Sequence, residues 1–203
     1  MCGRFTLTRP GVLPAAFPSI RFDEFSETKL PRYNIAPSQG VIGVRNDGRL
    51  VAETMRWGIH GRINIRAESV LARRGPVRRR CVEFADGFYE WHARRPYYFT
   101  LRSGEPFAFA GLWEAENGSA CCDLVTCPPN ALVAPVHDRM PVILLRDALE
   151  FWLDPEPLPP ETLAPALQPF DPALMEAREV SRRVNNANYE AADVLDTAEP
   201  RLF

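Results

Sequence analysis

Proline decides what this chain can build. It occupies 20 of 203 positions, roughly twice the usual share of about 5%. Each proline fixes φ and removes an amide donor, so helix interiors and central strands end where one falls. The prolines run from Pro10 to Pro200, which predicts short elements joined by many turns. The chain is 46% hydrophobic and 25% charged, a globular composition that can bury a sizeable core without disulfides. A single domain over residues 1–203 is expected.

Turn signals then divide the chain. Val41–Asn46 and Val51–Arg56 read as strands joined at Asp47-Gly48, a strong hairpin signal. Cys81–Phe84, Phe88–Trp91, Tyr97–Leu101, Phe107–Gly111 and Cys121–Thr126 read as further short strands, with Asp86-Gly87, Ser103-Gly104 and Asn117-Gly118 as turns. Helical patterns are fewer: Gly11–Phe17, Glu68–Arg73, Asp147–Leu153 and Pro160–Leu167. The fold class is α+β: a curled, mostly antiparallel, barrel-like sheet with short helices at its rim. No apolar run reaches about 18 residues, so no membrane-spanning helix is expected. The first residues lack a basic stretch followed by an apolar one, so the cytoplasm is the expected location.

Charge is polarised along the chain. Lys29 is the sole lysine. Arg56–Arg80 holds eight arginines against Glu68, a net of +7, while Asp147–Phe203 carries −8. An arginine-rich stretch can bind phosphates although the whole chain is at −2. The near-absence of lysine is explained by a GC-rich codon bias; the clustering is explained less well by it. Five cysteines without a CxxC pair give no metal-ligand spacing and no cofactor. Cys81, Cys121, Cys122 and Cys127 read as small buried hydrophobes.

Cys2 differs. Removal of Met1 would leave it as the amino-terminal residue, with a free α-amine two carbons from a thiol. An α-amine has a pKa of about 7.7–8.0, against about 10.4 for lysine, so a useful share is neutral at pH 7. It can form a Schiff base with an aldehyde, and the thiol can then close on the imine carbon as a five-membered thiazolidine.

Three other segments carry chemistry. In Ile63–Glu68, Asn64, Arg66 and Glu68 alternate, so an extended segment would turn them to one face. Asn64 could orient a carbonyl or amine, and Arg66 could hold a phosphate bidentately. Phe84–Trp91 sets Glu90 among aromatics, where a carboxyl gains a raised pKa and can donate a proton near neutrality. His137 stands between Pro135 and the apolar Val142–Leu145 run, a position suited to acid–base work. Each of these segments taken alone also fits a solvated strand face or a core-edge residue.

Six segments in order resemble the SRAP (SOS response-associated peptidase) family: Met1–Phe5, Arg32–Gln39, Arg56-Trp57-Gly58, Asn64–Glu68, Ala85–Trp91 and His137–Pro141. Val180–Asn188 resembles the family's closing segment. The resemblance implies a sensor of abasic sites in single-stranded DNA that acts in the DNA-damage response, in contact with the nucleoid. No cofactor, metal or membrane is expected, and a monomer is the default expectation. It implies that Cys2 forms a thiazolidine crosslink with the opened sugar. Asn64 would position Cys2, Glu90 would move protons, and His137 would assist ring opening and reversal. Arg4, Arg66 and Arg139 would contact phosphates, with Asn34, Pro37, Trp57 and Gly58 forming the DNA channel. From its own chemistry, Trp57 could stack on or wedge against a base. Departures from the family pattern are the short Ile59–Ile63 loop, Ile65, Ser69 and His92; none removes a proposed catalytic group. Two other functions fit the same residues: a cysteine peptidase with Cys2 as nucleophile and His137 as base, and a non-catalytic single-strand binding module.

Overall fold

The computed structural model describes residues 2–22 and 30–197; Met1 and Lys29 lie outside them. The turn signals shape most of what forms. Strands β3 (Gly40–Arg45) and β4 (Glu53–Trp57) make the hairpin about Asp47-Gly48, pairing Gly40 with Arg56 and Gly43 with Glu53. Strands β9 (Phe107–Glu116) and β10 (Ser119–Cys127) pair around Asn117-Gly118, whose φ values of 52° and 80° are those of a two-residue turn matched to strand twist. Strand β6 (Arg80–Ala85) completes a closed ring: β10 pairs with β4, β4 with β3, β3 with β6, β6 with β9, and β9 with β10. Closure removes the unpaired edges that an open sheet leaves exposed. The pairing of β4 with β10 is parallel; the other four are antiparallel.

Strand β5 (Asn64–Arg66) extends the parallel edge, with Asn64 opposite Leu124 on β10. Between β4 and β5 the chain doubles back in a tight turn, where Ile59 and Arg62 bond each other's backbone and His60 and Gly61 both take positive φ. Strands β11 (Met140–Pro141) and β12 (Ile143–Leu144) pair with β10 and β9.

A second sheet stands against the ring in the order β13-β8-β7-β1-β2, built from β1 (Phe5–Leu7), β2 (Arg32–Ile35), β7 (Gly87–His92), β8 (Arg95–Leu101) and β13 (Met175–Glu179). Asp86-Gly87 is the corner where the chain leaves the ring for this sheet, rather than a hairpin between adjacent strands. Gly87 is required there: a Cβ would lie 2.2 Å from the Tyr98 hydroxyl. Asp86 fixes the corner by accepting from Thr6 Oγ1 and from the backbone and hydroxyl of Thr8, each at 2.6 Å.

One apolar cluster runs through both sheets. Phe5 meets Trp57 at 5.1 Å and Phe109 edge-on at 5.4 Å, and Phe88 stacks on Phe99 at 5.0 Å. Each such fully buried ring contributes about 1.5–3 kcal/mol. The helices are short and peripheral: α1 (Leu13–Ala16), α2 (Ala67–Leu71), α3 (Arg146–Trp152) and α4 (Pro160–Leu163). This is the α+β, curled and barrel-like arrangement expected from the sequence, and none of the described helices is long and apolar enough to cross a membrane. Residues 180–197 cross the outer face of the second sheet and bury Val180, Val184 and Val194 against Tyr89 and Tyr98.

Candidate functional site

Cys2 lies just ahead of β1, which is held between β2 and β7 by the pairs Phe5–Ile35 and Phe5–Phe88. Its side chain is fully buried. The Asn64 Nδ2 at the start of β5 donates to the Cys2 carbonyl at 2.9 Å. That bond ties the chain's first turn to the edge of the ring, 62 residues away. Asn64 Oδ1 is buried without a hydrogen-bond partner among the described residues. A buried acceptor left open is costly and marks a place where an incoming group can bond. Burial, and then the carboxyl of Glu90, push the Cys2 thiol well above its ordinary range.

Glu90, on β7, is almost wholly buried, and burial raises its carboxyl to about 7. Its Oε1 has no partner among the described residues, and its Oε2 lies 3.9 Å from His137 Nε2. His137 is half-buried in the loop before β11; burial lowers its pKa, so the ring is neutral at pH 7. His137 Nδ1 lies 3.0 Å from the Arg139 backbone amide, 3.2 Å from the Arg139 carbonyl and 3.1 Å from Asp138 Oδ1, and Nε2 is the nitrogen facing Glu90. A carboxyl that exchanges its proton near neutrality thus faces an imidazole and shares the neighbourhood of a thiol. This arrangement suits stepwise proton transfer.

The two ends of the Ile63–Glu68 segment separate. Asn64 and Arg66 lie on β5, one buried and one exposed, but α2 begins at Ala67, so the alternation does not extend to Glu68. Glu68 instead holds Arg139 in a bidentate ion pair at 2.6 and 2.8 Å, which lowers the Glu68 carboxyl to about 2. Arg139 Nη2 also donates to the Thr126 carbonyl. With only 9% of its surface exposed, Arg139 is braced against α2 and β10, and its backbone orients His137.

Two expected DNA contacts need correction. Trp57 is fully buried, packed on Phe5, and its Nε1 donates to the Ile63 carbonyl at 3.0 Å. It supports the core and leaves no face on which a base could stack. Asn34 is also fully buried, with both ends of its amide engaged inside the protein. It cannot touch a bound strand directly. Pro37 is half-exposed, and Gly58 takes a φ of 117°, open to glycine, where the chain turns out of β4.

A groove that sequence reasoning missed lies on the outer face of the second sheet, the face opposite Glu90. It encloses about 420 Å³ and is lined by Arg4, Trp91, Arg94 and Asn185. Trp91 is only partly buried, and its Nε1 donates to Asn185 Oδ1 at 2.7 Å. A half-exposed tryptophan next to the Glu90 position was the available signal, since β7 alternation turns it to the opposite face from Glu90. The four remaining cysteines are buried and free, as expected of small hydrophobes.

Fold and site together define a class: small β-barrel proteins that hold a cysteine at position 2 against an amide, a buried carboxyl and an imidazole. The chain belongs to the SOS response associated peptidase (SRAP) family, whose model matches residues 1–187. It is 37% identical to the abasic site processing protein YoaM of Bacillus subtilis, with 97% of this chain and 98% of that protein covered. It is 26% identical to the abasic site processing protein YedK of Escherichia coli, over 96% and 99%. A crystal structure of a protein from Bacteroides thetaiotaomicron superimposes with a TM-score of 0.81 at 19% identity, covering 98% of this chain and all of that one; it shows the shared fold.

Proposed function

We propose that this protein captures abasic sites in single-stranded DNA by a covalent bond to Cys2, once Met1 has been removed. The observation that carries the proposal is the bond from Asn64 to the Cys2 carbonyl, which fixes residue 2 beside a carboxyl raised to about 7. The names of the relatives, abasic site processing proteins, support the substrate class. The α-amine attacks the C1′ aldehyde of the opened sugar to give a carbinolamine. Protonated Glu90 gives its proton to the departing hydroxyl, so water leaves and an iminium remains beside the Glu90 carboxylate. The Cys2 sulfur then adds to the iminium carbon and its proton goes to Glu90, which restores the carboxylic acid and closes the thiazolidine. His137 serves the sugar oxygen during ring opening. Exposed Arg66 and half-buried Arg4 supply phosphate contacts.

The state of the thiol favours this chemistry over a cysteine peptidase. A peptidase nucleophile works as thiolate and is held at a lowered pKa by a neighbouring cation. Here burial and Glu90 both raise the Cys2 thiol. An imine needs only the neutral thiol with a base nearby to take its proton.

The test is intact-mass analysis after incubation with an oligonucleotide bearing one abasic site. The expected product is protein plus DNA minus water, stable to heat and detergent. Cys2→Ser should give no stable adduct, only an imine that borohydride traps. A stable adduct formed equally well by Cys2→Ser would overturn the thiazolidine, and free protein alone from the wild type would overturn covalent capture.

A further inference from the structure

The segment 180–195 is fastened across the second sheet by hydrogen bonds that converge on one buried side chain. Asn34 Nδ2 lies within bonding distance of three carbonyls of that segment: Val184 at 3.3 Å, Asn186 at 2.9 Å and Tyr189 at 2.9 Å. Its Oδ1 accepts from Arg4 Nη1 at 3.0 Å, and the same Arg4 nitrogen donates to the Val184 carbonyl at 2.8 Å. From the other side, Glu190 accepts from the backbone amides of Tyr33 and Asn34 and pairs with Arg32. Asn185, within the fastened segment, holds the Trp91 indole.

We infer that Asn34 is a positioning residue: by locking the 180–195 segment onto β2, it sets the guanidinium of Arg4 as the phosphate-binding wall of the groove lined by Trp91, Arg94 and Asn185. This rests on the reading that the protein binds single-stranded DNA, a strand of which this groove takes. The geometry gives the reason. Arg4 Nη1 is committed to Asn34 and to the Val184 carbonyl, while Nη2 and Nε have no partner among the described residues. One end of the guanidinium is anchored and the other is left for a ligand. A flexible arginine loses rotamer freedom when it binds an anion, and anchoring in advance reduces that cost. An alanine at 34 would release the anchor and leave the Asn186 and Tyr189 carbonyls without the Asn34 donor.

A double-mutant cycle separates positioning from a general loss of structure. Binding is read by fluorescence anisotropy with an unmodified single-stranded oligonucleotide, which needs no covalent step. Adduct formation is read separately, under single-turnover conditions, with the same sequence bearing an abasic site. Asn34→Ala should raise the binding Kd and the half-saturating abasic DNA concentration about tenfold, with the limiting rate within about twofold of wild type, the size expected when one charge-assisted contact is lost. Arg4→Ala should do the same, and the double variant should be no worse than Arg4→Ala. Asn34→Asp, which keeps an acceptor for Arg4 and drops the donors to the segment, should weaken binding as Asn34→Ala does, and serves where the alanine variant does not fold. Additive effects in the double variant, or an unchanged Kd in Asn34→Ala, would overturn the inference. A wild-type Kd in Asn34→Asp would overturn it as well. Failure of the capture reading alone would show as absent adduct in the wild type with the anisotropy pattern intact.

Discussion

Two glutamates are buried among the described residues, and they show how much neighbours matter once burial is shared. Burial raises Glu90 to about 7 and Glu83 to about 8, and each has one oxygen without a hydrogen-bond partner among the described residues. Glu83 sits on β6 inside the closed ring. Its Oε1 receives the Cys81 thiol at 3.4 Å, and Gly111 presses close on the adjacent strand. Glu90 sits on β7, next to a residue that lines the groove and 3.9 Å from a half-exposed imidazole. A raised pKa alone therefore does not mark a site. A proton partner that reaches the surface does: Glu90 has His137, and Glu83 has thiols whose own protons burial holds fast.

The comparison breaks most decisively on rate. Glu90→Gln should slow single-turnover adduct formation by about 100-fold, the usual worth of a positioned acid–base group, with oligonucleotide binding little changed. It should also flatten the dependence of that rate on pH around 7, where the wild-type carboxyl changes its proton. Glu83→Gln should leave rate and pH profile at wild-type values. Equal slowing by both variants would mean that Glu90 acts through the core, as Glu83 must, and not on the reacting sugar.

What the sequence disclosed followed from the range of its signals. The ring hairpins were legible because Asp47-Gly48 and Asn117-Gly118 encode local turns with positive φ. Strands β1, β2, β5 and β13 were not: three to five residues give no useful alternation, and they form because partners far along the chain pair with them. Asp86-Gly87 carries turn chemistry but no statement of which sheet comes next. Cys2, Asn64, Glu90 and His137 could be picked by residue chemistry, and the structure brings them together. The roles of Trp57, Asn34 and Arg139 could not be judged so, because burial and pairing depend on partners such as Phe5, Val184 and Glu68 that spacing does not reveal. A tryptophan or arginine in a basic segment looks the same whether it faces a ligand or the core.

Smaller effects sharpen the contrast from the core side. A Cβ at Gly111 would lie 2.5 Å from Glu83 Oε1 and 2.9 Å from Cys81 Sγ. Gly111→Ala should destabilise the fold by about 1–3 kcal/mol through overpacking, read as a lower denaturation midpoint. The adduct rate of the folded fraction should stay at the wild-type value. A selective loss of rate at unchanged stability would show that the Glu83 cluster is mechanically linked to the site.

The smallest expected effect is a slope. In the unfolded chain Glu83 releases its proton near the ordinary value of 4.5, whereas in the fold it keeps the proton to about 8. Between those values the unfolded state binds fewer protons at this position, so stability falls as pH rises. The penalty is absent below the unfolded value and complete above the folded one. Glu83→Gln cannot titrate and should remove this contribution, so the stability difference between variant and wild type should shift in the variant's favour from pH 5 to pH 8. Urea midpoints at closely spaced pH values would record it. Glu90→Gln should show a like change over a narrower window, ending near 7. A difference between Glu83→Gln and wild type that stays constant across this range would mean that the Glu83 carboxyl is ionised in the folded core, with Cys81 and Cys122 giving it stronger support than burial takes away.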